Sequence, residues 1–189
     1  MKIKLLILTA AVSCVFASSA MAFTKAEYKT QKDQITTEYK ANRDTCGAMK
    51  ANAKDICVSE AKGMEKVAKA ELEAQYQPSA KNTEKVAMAK ANTAYDTAKE
   101  KCDDLAGNAK DVCVKDAKAT HVKAKEDAKV AKVSADTSKN KTEKVTDAKK
   151  DPNDETREAN YKAAKERCDV LAGAAKDTCL SDAKVKFGM

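Results

Sequence analysis

The sequence predicts an all-α fold of three antiparallel helical hairpins, arranged up and down in an elongated molecule. Each hairpin is expected to be closed by a disulfide near its turn, and a polar linker is expected before the last hairpin. Three observations support this prediction. Alanine and lysine dominate a chain of 189 residues that holds only 5 glycines and 2 prolines, a composition of high helix propensity. One segment occurs three times without gaps, and each copy holds two cysteines.

Residues 1–22 have the parts of a secretion signal. Two lysines form a basic start, residues 5–16 form an apolar core, and small residues precede the expected cleavage between Ala22 and Phe23. A membrane anchor is the alternative, but the apolar run is shorter than the ~20 residues that span a bilayer. No transmembrane span is therefore expected in the mature chain. Removal of the signal takes Cys14 with it and leaves six cysteines, which in an exported chain indicate a disulfide framework and a periplasmic location.

The repeated segment begins with a tyrosine and ends with a lysine in every copy. The copies read YKANRDTCGAMKANAKDICVSEAK at 39–62, YDTAKEKCDDLAGNAKDVCVKDAK at 95–118 and YKAAKERCDVLAGAAKDTCLSDAK at 161–184. In one continuous helix, cysteines eleven residues apart would be separated by roughly 16 Å. The Cα atoms of a disulfide lie only about 5.5 Å apart. The cysteines of a copy are therefore unbonded, or the helix breaks between them.

The residues between the two cysteines favour a break. Gly107 and Gly173 stand where a helix would end in the left-handed conformation, which glycine adopts at little cost. Asn108 is then placed to cap the next helix, with an acidic residue three positions on as in a capping box. In the first copy Ala51 replaces the glycine. We therefore expect Asn52 to take the left-handed position and this turn to be the least regular.

The cysteines of a copy also lie on the buried edges of the two helices. Apolar residues recur at alternating three- and four-residue spacing, the a/d pattern of helix seams and coiled coils. Six cysteines allow 15 pairings, and the seam geometry selects the three local ones. These disulfides join Cys46 to Cys57, Cys102 to Cys113, and Cys168 to Cys179. Each closes a short loop and is worth roughly 2–3 kcal/mol.

Breaks in the helical pattern divide the mature chain into four parts. A turn at Pro78 ends the second helix, a third is expected from near Asn82 to Ala106, and a fourth from Ala109. The polar, charged stretch before the last copy favours a mobile linker, and a frayed, solvent-exposed helix over part of it is the alternative. The predicted parts are hairpin 1 at 23–77, hairpin 2 at 81–133, the polar linker at 134–154 and a shorter hairpin 3 at 155–189.

The sequence offers little for catalysis or for binding a cofactor or metal. It lacks an HExxH motif, a GxSxG nucleophile elbow and a glycine-rich phosphate loop. His121 is the only histidine, and we interpret it as an incidental helix-surface residue next to the seam. No catalytic, cofactor-binding or metal-binding residue is assigned, and an enzyme is not expected. Thiol-redox chemistry or copper handling is an alternative for the cysteines, although thiol oxidoreductases usually carry a CxxC at a helix start.

The charged residues are expected to form a solvated surface. The formal net charge of +7 falls to +5 when Lys2 and Lys4 leave with the signal. Lysines alternate with acidic residues, a pattern typical of i,i+4 ion pairs. Weak attraction to an anionic envelope surface is the alternative. Specific nucleic-acid binding is not expected, because tryptophan is absent and the tyrosines lie on the seams rather than on a platform for bases.

The cysteine motif resembles that of small exported, Ala/Lys-rich Cys-repeat proteins of Gram-negative bacteria, often labelled cell envelope biogenesis proteins, TolA-like. The motif is a cysteine, a glycine or alanine five residues on, then Ala-Lys-Asp and a second cysteine, and the resemblance covers nearly the whole chain. TolA itself has a transmembrane anchor and a globular C-terminal domain, so no TolA interaction site carries over. Residues 117–141 also resemble, in composition, late-embryogenesis-abundant stress proteins.

These observations lead to an expected function and to two alternatives. We expect a non-enzymatic periplasmic helical protein with an envelope-associated structural or protein-interaction role, whose partner is an envelope protein or an anionic envelope surface. The first alternative is a stress-protective or anion-binding helical protein. The second is a thiol-redox or metal-handling factor. The sequence is also compatible with a homo-oligomer, because alanine seams at heptad spacing can pack between chains as well as within one chain.

Overall fold

A computed structural model describes residues 23–135 and 141–189, without the side chains of residues 141–143 and 150–152. Two predictions therefore lie partly or wholly outside the described residues. The signal peptide at 1–22, with Ala22 on one side of its cleavage site, lies outside them, as do residues 136–140 of the predicted linker.

The described chain is all-helical, which confirms the predicted fold class, and within the described ranges it forms three antiparallel hairpins. Hairpin 1 is α1–α2, hairpin 2 is α3–α4 and hairpin 3 is α5–α6, and a short 3₁₀ turn over Cys46–Ala48 follows α1. The helices are α1 (Lys25–Thr45), α2 (Ala51–Tyr76), α3 (Ala80–Cys102), α4 (Gly107–Ser134), α5 (Lys141–Cys168) and α6 (Gly173–Phe187).

Side-chain caps define the start of the first helix in hairpins 1 and 2. Thr24 and Glu27 form a complete capping box at the start of α1, which satisfies two of the free N–H groups there. The Ser79 hydroxyl accepts a hydrogen bond from the backbone N–H of Asn82 and caps α3. The helix therefore starts at Ala80, slightly earlier than the sequence pattern indicates. The Asn82 amide is buried and donates to the Gln77 carbonyl, which fixes the Pro78 turn.

The helices form a single layer. Among the described residues, each helix packs only against the helices that precede and follow it in the chain. The seams between them hold mainly alanine and cysteine, as the composition predicts. The buried apolar residues are Cys46, Ala61, Leu72, Ala91, Cys102, Ala119, Ala128, Ala163, Cys168 and Ala183. Because alanine side chains are short, neighbouring helices approach closely while both broad faces of the layer stay open to solvent.

The stretch predicted as a polar linker, 134–154, is helical from Lys141 onward, which agrees with the alternative of a helix over part of it. The last hairpin begins at Lys141 rather than at residue 155, and the helical backbone of α5 continues through Pro152. The physical reason is packing, because α5 lies along α4. Glu126 of α4 is buried and ion-paired with Lys129 of the same helix at 2.6 Å, and both side chains line a groove together with Asp147 and Glu155 of α5. Local polarity predicted a linker, whereas contact with the neighbouring helix stabilises the helical state.

Candidate functional site

The three cysteine turns form the most distinctive structure in the molecule. The predicted disulfides are confirmed, with Cα–Cα distances of 5.6 Å for Cys46–Cys57, 5.6 Å for Cys102–Cys113 and 5.7 Å for Cys168–Cys179. In each pair the first cysteine is buried, with 0%, 0% and 1% of its surface exposed, and the second is half-buried. The sulfur atoms therefore contribute to the seam between the two helices of each hairpin.

A residue in the left-handed conformation reverses the chain at each turn. Gly107 and Gly173 take this position with φ of 56° and 54°, as predicted. In hairpin 1 the prediction of Asn52 is wrong, because Ala51 takes the position with φ of 49°. An alanine pays roughly 1–2 kcal/mol for this conformation. The contacts that follow from the turn must outweigh that strain.

Asn52 and Asn108 connect one hairpin to the next. The Asn52 side-chain amide donates to the Glu100 carbonyl at 2.6 Å, and the Asn108 amide donates to the Glu166 carbonyl at 2.9 Å. The expectation that Asn108 caps its own helix is therefore wrong, and Ala106 stands at the N-cap of α4 without a side-chain hydrogen bond. Each acceptor lies two residues before the first cysteine of the following hairpin. The turn thus fixes the position of the next turn.

Replacing Asn52 or Asn108 with alanine is expected to lower the free energy of unfolding by about 1 kcal/mol for each lost hydrogen bond. Urea denaturation followed by circular dichroism measures the change. The chain supplies a matched control at the equivalent position of the last hairpin, which holds Ala174. Since α6 packs only against α5 among the described residues, an asparagine there has no carbonyl of another hairpin to reach, and Ala174→Asn should leave the stability unchanged. If Ala174→Asn stabilised the protein by as much as the two Asn→Ala changes destabilise it, the asparagines would act only on their own helices.

Ion pairs at equivalent positions reinforce the contact between hairpins. Glu60 pairs with Lys101 at 3.0 Å, and Asp116 pairs with Arg167. In both pairs the acid lies three residues after the second cysteine of one hairpin, and the base lies directly before the first cysteine of the next. Sequence reasoning missed these pairs. Their fixed offset from the cysteines was the signal that could have found them. Because they are surface pairs, each contributes no more than about 1 kcal/mol to the free energy of unfolding. Their main effect is therefore to fix the register of one hairpin against the next.

The middle of the α2–α3 contact depends on a glycine. Thr93 lies against Gly63, and its hydroxyl donates to the Gly63 carbonyl at 3.4 Å. A Cβ atom added at Gly63 would lie 2.0 Å from the Thr93 Cγ2 atom. Beside this contact, Ser59 and the buried Thr97 place their hydroxyl oxygens 3.4 Å apart. Hairpins 1 and 2 therefore meet along small residues at close backbone distance.

His121 belongs to the seam of hairpin 2 rather than to the open helix surface. Its ring stacks on Tyr95, with centroids 4.5 Å apart, and its Nε2 atom lies 2.7 Å from the Asn92 Oδ1 atom. The Nδ1 atom is buried without a hydrogen-bond partner. Burial lowers the pKa of His121, nearby Lys125 and Lys118 lower it further, and Asp96 opposes them. The interpretation of His121 as incidental is therefore incomplete, because the ring packs as a neutral aromatic group.

Acidification is expected to destabilise hairpin 2 through His121. The pKa of the group is lower in the folded state, so the unfolded chain takes up the proton first. The contribution of the neutral ring is present above the ordinary histidine pKa of about 6.5 and is lost as the pH falls below it. Melting curves from pH 7.5 to pH 5 should show a larger decrease for the wild type than for His121→Gln. Identical pH profiles for both proteins would contradict this assignment.

The surface of the layer carries paired charges and shallow grooves. Asp103, an acidic neighbour of Cys102, pairs with Lys110 at 2.8 Å, and this contact raises the pKa of Lys110. Within residues 23–135 and 141–189, no group of three or more His, Cys, Asp or Glu residues is arranged to hold a metal ion. None of the helices in those ranges combines the length and the apolar content that crossing a membrane requires. The grooves between neighbouring helices are lined by both signs of charge, as at Lys66 and Asp96.

In comparisons with known proteins, no family model, curated protein or solved structure matches the chain.

Proposed function

We propose that the chain is a non-enzymatic helical protein of the periplasm with an envelope-associated structural or protein-interaction role. The observation that carries this proposal is the single-layer arrangement, in which each described helix contacts only its neighbours in the chain. Both broad faces stay free, as in repeat proteins that bind partners along an extended surface. Such a layer offers much contact area and little enclosed space for chemistry.

The compartment follows from the cysteines. Three disulfides are typical of proteins in an oxidising, extracellular-type compartment. The more specific proposal of the periplasm rests on the signal-like residues 1–22 and on the resemblance to exported TolA-like proteins of Gram-negative bacteria. Phe23, the proposed first residue of the mature chain, packs edge-on against Tyr76 with ring centroids 6.1 Å apart. The proposed cleavage would therefore leave a first residue whose ring packs against α2.

The charge pattern favours a protein partner over a uniformly anionic surface. Lys66 pairs with Asp96 at 3.4 Å, Lys90 with Glu71 at 2.7 Å and Lys132 with Glu84 at 2.7 Å. These pairs join neighbouring helices, so many lysines already have an acidic partner within the layer. Alternating charges attract a partner whose own charges alternate, whereas a uniform anionic surface attracts unpaired lysines. An envelope protein is therefore the proposed partner.

Site-specific photo-crosslinking in exporting cells tests the proposal. A photoreactive amino acid at Met64 or Val185 would report on contacts, because 54% and 80% of these side chains are exposed. We expect a saturable crosslink to the same envelope protein in repeated experiments, and excess unlabelled oxidised protein should compete with it. A variant in which the six cysteines of the hairpins are replaced by alanine serves as the control for folded structure. Only self-crosslinks, or none at any exposed position, would contradict the protein-interaction role.

A further inference from the structure

The last helix, α6, is the least supported element of the described chain. It has 15 residues, and among the described residues it packs only against α5. An isolated helix of this length is marginal in water. Ala183 is its one buried side chain, with 6% exposed, while Leu180 and Phe187 are half-buried. At the turn, α6 is also held by the ion pair of Lys176 with Asp169, the residue directly after α5, at 2.9 Å, and by the Cys168–Cys179 disulfide.

The other two disulfides join helices with more support. α4 lies between α3 and α5, so the Cys102–Cys113 bond is flanked by packed helices on both sides. α1 ends the row as α6 does, but its far end is fixed to α2 by an aromatic contact. Tyr28 and Tyr76 place their rings 4.5 Å apart, and the Tyr28 hydroxyl donates to the Glu73 carboxylate at 2.8 Å. Opening hairpin 1 or hairpin 2 therefore breaks more contacts than opening hairpin 3.

We propose that the Cys168–Cys179 disulfide is a redox-sensitive latch that holds α6 on the layer. The sulfur of Cys179 is the one that a reductant reaches, because Cys179 is half-buried whereas Cys168 is 1% exposed. A thiolate of a dithiol reductant attacks the Cys179 sulfur, and the electron pair of the S–S bond leaves on the Cys168 sulfur, which takes a proton. The second thiol then displaces Cys179 as a thiol and closes the reductant's own disulfide. The protein gains two electrons and two protons, and α6 loses its covalent link.

The latch predicts a defined order of reduction. Exchange at a packed disulfide requires local opening, and the cost of local opening varies across a structure. The Cys168–Cys179 bond should be reduced first, Cys46–Cys57 next and Cys102–Cys113 last. We expect the first to react about tenfold faster or more than the last, the ratio that a difference of ~1.4 kcal/mol in opening free energy produces.

Graded reduction of the folded protein with dithiothreitol tests this order. Thiols are trapped with an alkylating agent at successive times, and peptide mass spectrometry locates the modified cysteines. The two other disulfides in the same molecule are the internal controls. The expected intermediate carries label on Cys168 and Cys179 alone. Simultaneous reduction of all three bonds, or earlier reduction of Cys102–Cys113, would overturn the proposal.

A second measurement checks that the bond holds the helix. In a Cys168→Ala/Cys179→Ala variant, hydrogen exchange should show fast exchange over Gly173–Phe187, while amides of α4 keep their protection. The same result is expected for the intermediate reduced only at hairpin 3. Protection of α6 at the wild-type level in the variant would show that packing alone retains the helix, and it would overturn the latch. Because this readout needs no partner, it is independent of the proposed interaction role.

Discussion

Replacing Cys102 and Cys113 together with alanine is expected to lower the free energy of unfolding by about 3 kcal/mol. The disulfide closes a short loop across the turn of hairpin 2 and restricts the unfolded chain, whose seams otherwise bury mostly alanine. Hairpin 2 is the best place for this test because helices flank it on both sides, so the variant should still fold. Urea denaturation under non-reducing conditions measures the difference.

A matched variant separates the bond from the volume of the buried sulfur. Cys102 is fully buried, so alanine there also leaves a small space. Cys102→Val/Cys113→Ala fills that space without a disulfide and should recover no more than about 1.6 kcal/mol, the value of the two buried methyl groups that valine adds to alanine. Full recovery with valine would assign the stabilisation to packing. An unchanged denaturation midpoint in both variants would show that the bond contributes nothing to folding.

Gly63→Ala is expected to destabilise the protein, although alanine is the better helix former. The added Cβ would lie 2.0 Å from the Thr93 Cγ2 atom and 3.1 Å from its Cβ atom. Overpacking of this kind costs about 1–3 kcal/mol, which exceeds or matches the gain of up to about 1 kcal/mol in helix propensity. Thermal denaturation should show a lower midpoint for the variant.

The rescue of Gly63→Ala tests the cause. Gly63→Ala/Thr93→Ala removes the methyl group that the new Cβ meets, and it should be at least as stable as Thr93→Ala alone. The chain already uses this combination where hairpin 2 meets hairpin 3, since the equivalent positions hold Ala119 and Ala159. A higher midpoint for Gly63→Ala alone would mean that α2 and α3 do not approach as closely as described.

The elements that local chemistry determines could be predicted from the sequence. The helices follow from composition and spacing, and the three disulfides follow from a turn midway between cysteines on the same seam. Gly107 and Gly173 take the left-handed position because glycine does so cheaply. These inferences need only the residues within one hairpin.

The turn of hairpin 1 could not be predicted in this way, because a contact between hairpins decides it. Local propensity favours Asn52 over Ala51 in the left-handed conformation. In the structure Ala51 takes the strained left-handed conformation instead. The Asn52 amide then donates to the Glu100 carbonyl of the next hairpin. The same competition explains Asn108, whose amide bonds the next hairpin instead of capping its own helix.

The start of α5 could not be decided from the sequence for a related reason. Residues 141–154 are polar, and polar composition alone predicts a linker. Their helical backbone depends on contact with α4, which a reading of local composition does not include. The register between neighbouring hairpins likewise depends on pairs such as Glu60–Lys101, whose partners lie far apart in the sequence.

The two ends of the row lack the residues that join neighbouring hairpins. The first hairpin carries Thr45 where Lys101 and Arg167 pair with an acid of the preceding hairpin. The last hairpin carries Ala174 where Asn52 and Asn108 bond the following one. Among the described residues α1 packs against α2 alone and α6 against α5 alone, so neither position has a contact of this kind to make.

Non-reducing peptide mapping by mass spectrometry tests the central claim most directly, because the hairpins, their turns and the row all depend on which cysteines are joined. The protein should be recovered from cells that export it and alkylated before digestion. The account predicts three local bonds at full occupancy, Cys46–Cys57, Cys102–Cys113 and Cys168–Cys179. Free thiols, bonds between different hairpins or bonds between chains would contradict it.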